Sequence, residues 1–197
     1  MNNAGDRPAT NQTRKGLNKR NSQNAKSLVA YFSRGGENYV SGAITDLPVG
    51  NTEVVARMIQ KATGSDSFRI EAVNPYPKEY HQTTDVAQKE QRANARPELT
   101  AHVENMDAYD VIFLGYPNWY GTMPMPVFTF LEGYDFAGKT IIPFCTHEGS
   151  GMGRSEKDIA RICPQARFLE SLAVHGAYAG SAQGDVKNWL RKIGMAK

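Results

Sequence analysis

Two short, uninterrupted apolar runs constrain this chain most, Leu28-Val29-Ala30-Tyr31-Phe32 and Val111-Ile112-Phe113-Leu114. A half-exposed strand alternates apolar and polar residues, whereas a strand covered on both faces does not. Runs of this kind therefore predict central strands of a parallel sheet. The segments between them supply its cover. Val54, Val55, Met58, Ile59 and Ala62 fall on one face of a helix at 51–63, and Gly64 is its stop. Ser67 to Val73 alternates as a strand, and Asn74-Pro75-Tyr76-Pro77 is a turn. Residues 78–93 read as a weakly amphipathic, well-exposed helix.

The alternation continues to the end. Strands are predicted at 110–116, 139–145 and 168–175. Helices are predicted from Pro124 through Leu131, at 155–162 and at 184–193. Five strands alternating with five helices argue for an α/β fold with a doubly wound parallel sheet. Residues 37–49 are surplus to this pattern, because a strand–helix loop usually takes about 2–6 residues. They either lid the site beside them or pad the edge.

The net charge of +3 is unevenly placed. Residues 1–26 hold six basic residues against Asp6, leaving the remainder with 17 basic and 19 acidic residues. The first segment reads as a disordered basic tail, either simply solvated or touching an anionic surface. The domain, 27–197, has no predicted nucleic-acid partner. No stretch approaches the ~20 apolar residues of a membrane span. No signal peptide is visible in the polar first 26 residues, so cytoplasmic residence is the expectation. Cys145 and Cys163 lack a C-x-x-C spacing and read as free thiols. His81, His102, His147 and His175 are scattered without metal-ligand spacing, so no metal is expected.

Three loops carry the chemistry. The first strand runs into Ser33-Arg34-Gly35-Gly36, and Gly50-Asn51-Thr52 opens the first helix. Free N–H groups and the dipole at a helix start favour phosphate. Ser33 adds a hydroxyl, and Arg34 could add a charge-assisted bond. The motif is neither a P-loop nor a G-x-G-x-x-G fingerprint. The second loop, Gly115-Tyr116-Pro117-Asn118-Trp119-Tyr120-Gly121-Thr122, puts two aromatics at the carboxyl end of a strand. In open α/β sheets that is where ligands bind. Trp119 and Tyr120 are candidates to cover a flat ring, with backbone groups at Asn118 and Gly121 reaching its polar edge. The third loop, Thr146-His147-Glu148-Gly149-Ser150-Gly151-Met152-Gly153, would face the other side of the crevice. Glu148 could bond a pyrimidine edge. His147 is either a proton donor or an ordinary loop histidine. A phosphate pocket beside a planar-ring pocket points to flavin mononucleotide.

Together, Tyr31 to Gly36, Gly50-Asn51-Thr52, Gly115 to Pro124 and Thr146 to Gly151 resemble the flavodoxin family, notably its bacterial flavodoxin-like members. The resemblance covers about residues 27–194. It implies a five-stranded parallel sheet of order 2-1-3-4-5 with helices on both faces and non-covalent FMN at the carboxyl edge. It places phosphate contacts at Ser33, Arg34, Asn51 and Thr52. It places one ring loop at Pro117, Asn118, Trp119, Tyr120 and Thr122, and the other at Thr146, Glu148, Gly149 and Gly151. The family's compact phosphate loop is split here by the insert, with Gly35-Gly36 standing where Thr-Gly is usual. No side chain is expected to be catalytic, since the flavin carries the chemistry. The expected function is electron transfer or oxidoreduction with a redox protein or a small quinone-like acceptor, by a monomer or homodimer. The alternatives are an NAD(P)H-dependent quinone reductase and a non-catalytic binding module. Carrier flavodoxins are usually strongly acidic, and this domain is only slightly so.

Overall fold

The computed structural model describes residues 26–196. All but the last residue of the basic segment 1–26 lie outside them. In chain order, β1 (Ser27–Tyr31) leads into a hairpin of β2 (Gly36–Val40) and β3 (Ala43–Leu47). Then come α1 (Asn51–Thr63), β4 (Asp66–Arg69), α2 (Tyr80–Arg92), β5 (Val111–Pro117) and α3 (Met125–Glu132). The chain closes with β6 (Thr140–His147), α4 (Ser155–Ile162), β7 (Arg167–Phe168), β8 (Leu172–His175) and α5 (Gln183–Lys192).

The sheet runs β4-β1-β5-β6-β7, with β8 also paired to β6, and every pairing in it is parallel. This is the flavodoxin-like order, with the last strand in two pieces. The period-2 geometry of a strand sends successive side chains to opposite faces. Leu28, Ala30 and Phe32 accordingly join Ile112, Leu114, Phe128, Phe130 and Ile159 in one core cluster. Val29 and Tyr31 join Val55, Ile59, Phe113, Phe144, Val186 and Leu190 in the other. Helices thus cover both faces, and the uninterrupted apolar runs are explained.

Four expectations change. The predicted strand 168–175 is broken. Ile141 pairs with Phe168, but Phe144 pairs with Leu172, so the edge gains one residue on β6. The offset lies beside Pro143, which has no N–H for a ladder. The strand predicted at 67–73 ends at Arg69, and its continuation turns away, with Ala72 bridging Leu99 instead. The helix read as well exposed buries Thr83 and Ala87. The surplus segment is an antiparallel hairpin turning at Ser41 (φ 48°) and Gly42 (φ 92°). Positive φ at both central residues is the twist a two-residue hairpin loop requires.

Gly115 is fixed by packing. A Cβ there would lie 2.1 Å from the Phe144 ring. Gly115→Ala is expected to cost about 1–3 kcal/mol by overpacking, or roughly 3–10 °C in Tm. An unchanged melting curve would show that Phe144 yields freely.

Candidate functional site

The parallel strands end together, and their following loops enclose a cleft of about 190 Å³ at the carboxyl edge beside β1 and β5. Connections leave these two strands for opposite faces, which opens the crevice. Of the residues singled out above, Ser33, Arg34, Asn51, Thr52, Pro117, Asn118, Trp119, Thr146, His147 and Glu148 line it.

One end of the cleft is the start of α1. Gly50 is its N-cap and brings no side chain to the task. The Ser33 hydroxyl serves instead, accepting from the Glu53 N–H at 3.1 Å. Gly50 must stay small, because a Cβ would lie 2.4 Å from Ser33 Oγ and from the Arg34 carbonyl oxygen. The Thr52 and Thr146 hydroxyls lie 2.7 Å apart, tying α1 to the end of β6. The first-turn N–H groups of Asn51 and Thr52 have no intrahelical acceptor. Behind them, buried Glu53 pairs with Arg57 and, at 3.1 Å, with Arg69, which offset its charge.

Arg34 is used differently from the expectation. Its guanidinium donates to the carbonyl oxygens of Gly35, Pro77, Lys78 and Glu37. It clamps the hairpin base to the start of α2, and only its Nε–H is buried without a partner.

The other end is aromatic. Trp119 packs edge-on against Phe32 (5.4 Å between centroids) and Tyr76 (5.1 Å). Tyr76 in turn donates to Glu90, and burial pushes its phenol far above the ordinary range. Trp119 also exchanges backbone hydrogen bonds with Thr122, closing the loop as a tight turn. Tyr120 (φ 51°) turns toward α2, where its hydroxyl donates to the Thr84 carbonyl at 2.9 Å. Thr122 is buried and donates to Asp158 at 2.7 Å, so it supports the loop from below. Gly149 and Gly151 shape the third loop. Gly149 N–H donates to His147 Nδ1 (2.9 Å), and the Gly151 carbonyl accepts from Asn118 Nδ2 (2.8 Å).

Sequence reasoning missed Asn38, Tyr39, Tyr80, Ser150 and Gly176 in the lining. Asn38 and Tyr39 stand on the hairpin, whose tip donates from the Ser41 N–H to Glu148 Oε2 at 3.0 Å. The hairpin therefore walls the cleft rather than padding the edge. The Ser-Gly turn was the available signal. A Cβ at Gly176 would lie 2.3 Å from Glu148 Oε1 and displace that carboxylate. That oxygen is buried and unpartnered, as is Asn118 Oδ1.

Glu148 and two imidazoles form the titratable part. His175 Nε2 lies 3.8 Å from Glu148 Oε2, and the His147 and His175 rings are 5.6 Å apart. Burial, then the neighbouring His175, hold His147 below its ordinary 6.5, against the pull of Glu148. The unfolded chain therefore takes up this proton before the folded one, and stability falls as pH drops below about 6.5. His147→Gln is expected to flatten that part of a Tm-versus-pH profile. Parallel profiles for the two proteins would contradict it. Burial pushes the Cys145 thiol up to about 12 and Cys163 to about 11, so both are inert thiols rather than nucleophiles. Among the described residues no three His, Cys, Asp or Glu gather as metal ligands, and no helix is long and apolar enough to cross a membrane.

A family model described as Flavodoxin matches residues 26–193. Among solved structures, a protein provisionally described as a flavoprotein from Bacteroides eggerthii is 28% identical, with a TM-score of 0.68. That match covers 86% of this chain and 98% of the other. A similarly described protein from Bacteroides uniformis is 27% identical, with a TM-score of 0.67, covering 85% and 98%. The Lactobacillus acidophilus flavoprotein solved in complex with FMN shares the fold at 18% identity and a TM-score of 0.58, covering 84% and 98%. No curated protein sequence matches the chain.

Proposed function

Since this chain belongs to the flavodoxin family, whose cofactor is FMN, we propose that the cleft takes up FMN and that the protein works in electron transfer. One observation carries the reading. A single cleft joins a helix start with free N–H groups at Asn51 and Thr52 and neighbouring hydroxyls to a tryptophan and two buried, unpartnered oxygens, Asn118 Oδ1 and Glu148 Oε1. A buried acceptor without a donor is costly, and the N–H-bearing edge of a flavin is a donor of the right kind. The residues present therefore fit the group.

In this reading Ser33, Thr52 and the first-turn N–H groups of α1 hold the phosphate. Trp119 covers the ring, and Asn118 and Glu148 orient its polar edge. Arg34 acts as the clamp of the loop. Tyr39 and the hairpin restrict water. Bound FMN supplies the redox chemistry, and the protein supplies binding, orientation and electrostatics. The partner is a redox protein or a small quinone-like acceptor.

Anaerobic addition of NADPH or NADH to the FMN-loaded protein separates the two forms of this function. For a carrier the flavin band near ~450 nm persists until a reductase or a chemical reductant is added. Rapid bleaching by the nicotinamide alone would replace the carrier reading with that of a reductase.

A further inference from the structure

The hairpin of β2 and β3 is held firmly at its base and lightly at its tip. At the base the Arg34 guanidinium donates to the carbonyl oxygens of Gly35, Glu37, Pro77 and Lys78. Beside it the Glu37 N–H donates to the Lys78 carbonyl, and the Glu37 carboxylate accepts from the Tyr80 N–H at 2.9 Å. Midway, the Tyr39 ring leans on Tyr80, with 6.3 Å between centroids. Residues 41–46 are exposed. Among the described residues, their one hydrogen bond beyond the hairpin runs from Ser41 N–H to Glu148 Oε2 at 3.0 Å. A two-stranded hairpin is marginal in water on its own, so the position of the tip depends on this contact.

Glu148 has a second oxygen to satisfy. While Oε2 accepts from the tip, Oε1 is buried with no donor. A Cβ built on Gly176 would lie 2.3 Å from Oε1 and 2.6 Å from Asn51 Nδ2, and Gly176, Glu148 and Asn51 all line the cleft. His175 Nε2 approaches the other oxygen, Oε2, at 3.8 Å, with the His147 ring behind it. A buried acceptor without a donor is costly. The closed hairpin bears that cost, because an opened tip frees the carboxylate to turn toward water. An occupant's N–H placed at Oε1 removes the cost from the closed form alone. A ligand shifts a two-state equilibrium by its differential affinity for the two states.

We propose that Glu148 is a latch that couples cofactor occupancy to closure of the hairpin: a ring N–H bonded to Oε1 holds the carboxylate in place, and Oε2 then holds the tip through Ser41. By linkage, the closed tip retains the cofactor more tightly by the same factor. The proposal rests on the reading of the cleft as the FMN site.

The test is hydrogen exchange of the Ser41 amide, followed by NMR on the full chain, empty and loaded. FMN binding to the same samples is measured separately by flavin fluorescence. Saturating FMN should slow exchange at Ser41 by about tenfold or more. Saturating riboflavin should do the same, because it carries the ring edge without the phosphate. Inorganic phosphate should change the rate less than about twofold. In Glu148→Gln one acceptor faces two donors, so the gain on FMN saturation should fall below about threefold. Equal exchange in the empty and FMN-bound wild type overturns the proposal. So does riboflavin without effect, protection by inorganic phosphate alone, or a full gain in folded Glu148→Gln. If that variant fails to fold, the three ligands on the wild-type protein still decide. Failure of the wild type to bind FMN overturns the reading of the cleft, and this proposal with it.

Discussion

Replacing Ser33 and Thr52 together by alanine is expected to weaken FMN binding by about 100-fold while changing riboflavin affinity by less than about threefold. Each hydroxyl lost from a charged partner is worth about 1.5–3 kcal/mol, and riboflavin carries no phosphate to notice. The discounting terms are visible in the structure. Ser33 also caps α1 through the Glu53 N–H, and Thr52 also meets Thr146. Part of the loss will therefore appear as a lower Tm, which the riboflavin arm controls. Parallel fluorescence titrations with the two ligands decide the matter. Equal losses would place the phosphate elsewhere.

Trp119→Ala has the opposite signature. It should weaken FMN and riboflavin alike by about 10–100-fold, since aromatic stacking on a nucleic-acid base is worth about 1–3 kcal/mol. Trp119→Phe should recover most of it. Removing the indole also strips edge contacts from Phe32 and Tyr76, so the alanine variant should melt lower as well. Unchanged affinity in a folded Trp119→Ala protein would remove Trp119 from the ring site. Tyr120→Ala should leave FMN affinity within about twofold, because that side chain is anchored on α2.

The core strands were readable because burial on both faces writes itself into the sequence. Nothing polar interrupts Leu28 to Phe32 or Val111 to Leu114. The spans of α1 and α4 were equally plain, each bounded by its own stop at Gly64 or Pro164. What sequence could not carry was longer-range. The break between β7 and β8 depends on pairing opposite Pro143, two elements away. The hairpin hid in a segment read only as surplus, although its Ser-Gly turn and the residues Tyr39 and Ile44 were visible. Tyr80 was missed because the weak periodicity of α2 suggested exposure, whereas its first turn packs against the hairpin through the Tyr80 N–H and Glu37. Arg34 illustrates the limit best. Its place beside the phosphate loop was legible, but its commitment to carbonyls of residues 77 and 78 depends on tertiary structure.

The most direct test of the FMN assignment is a titration of apoprotein into FMN, read by flavin fluorescence. Stacking against Trp119 should quench the emission, with an end point at about one FMN per chain and riboflavin at least about tenfold weaker. Emission that stays constant at saturating protein would mean that the cleft between Ser33 and Trp119 does not hold this cofactor.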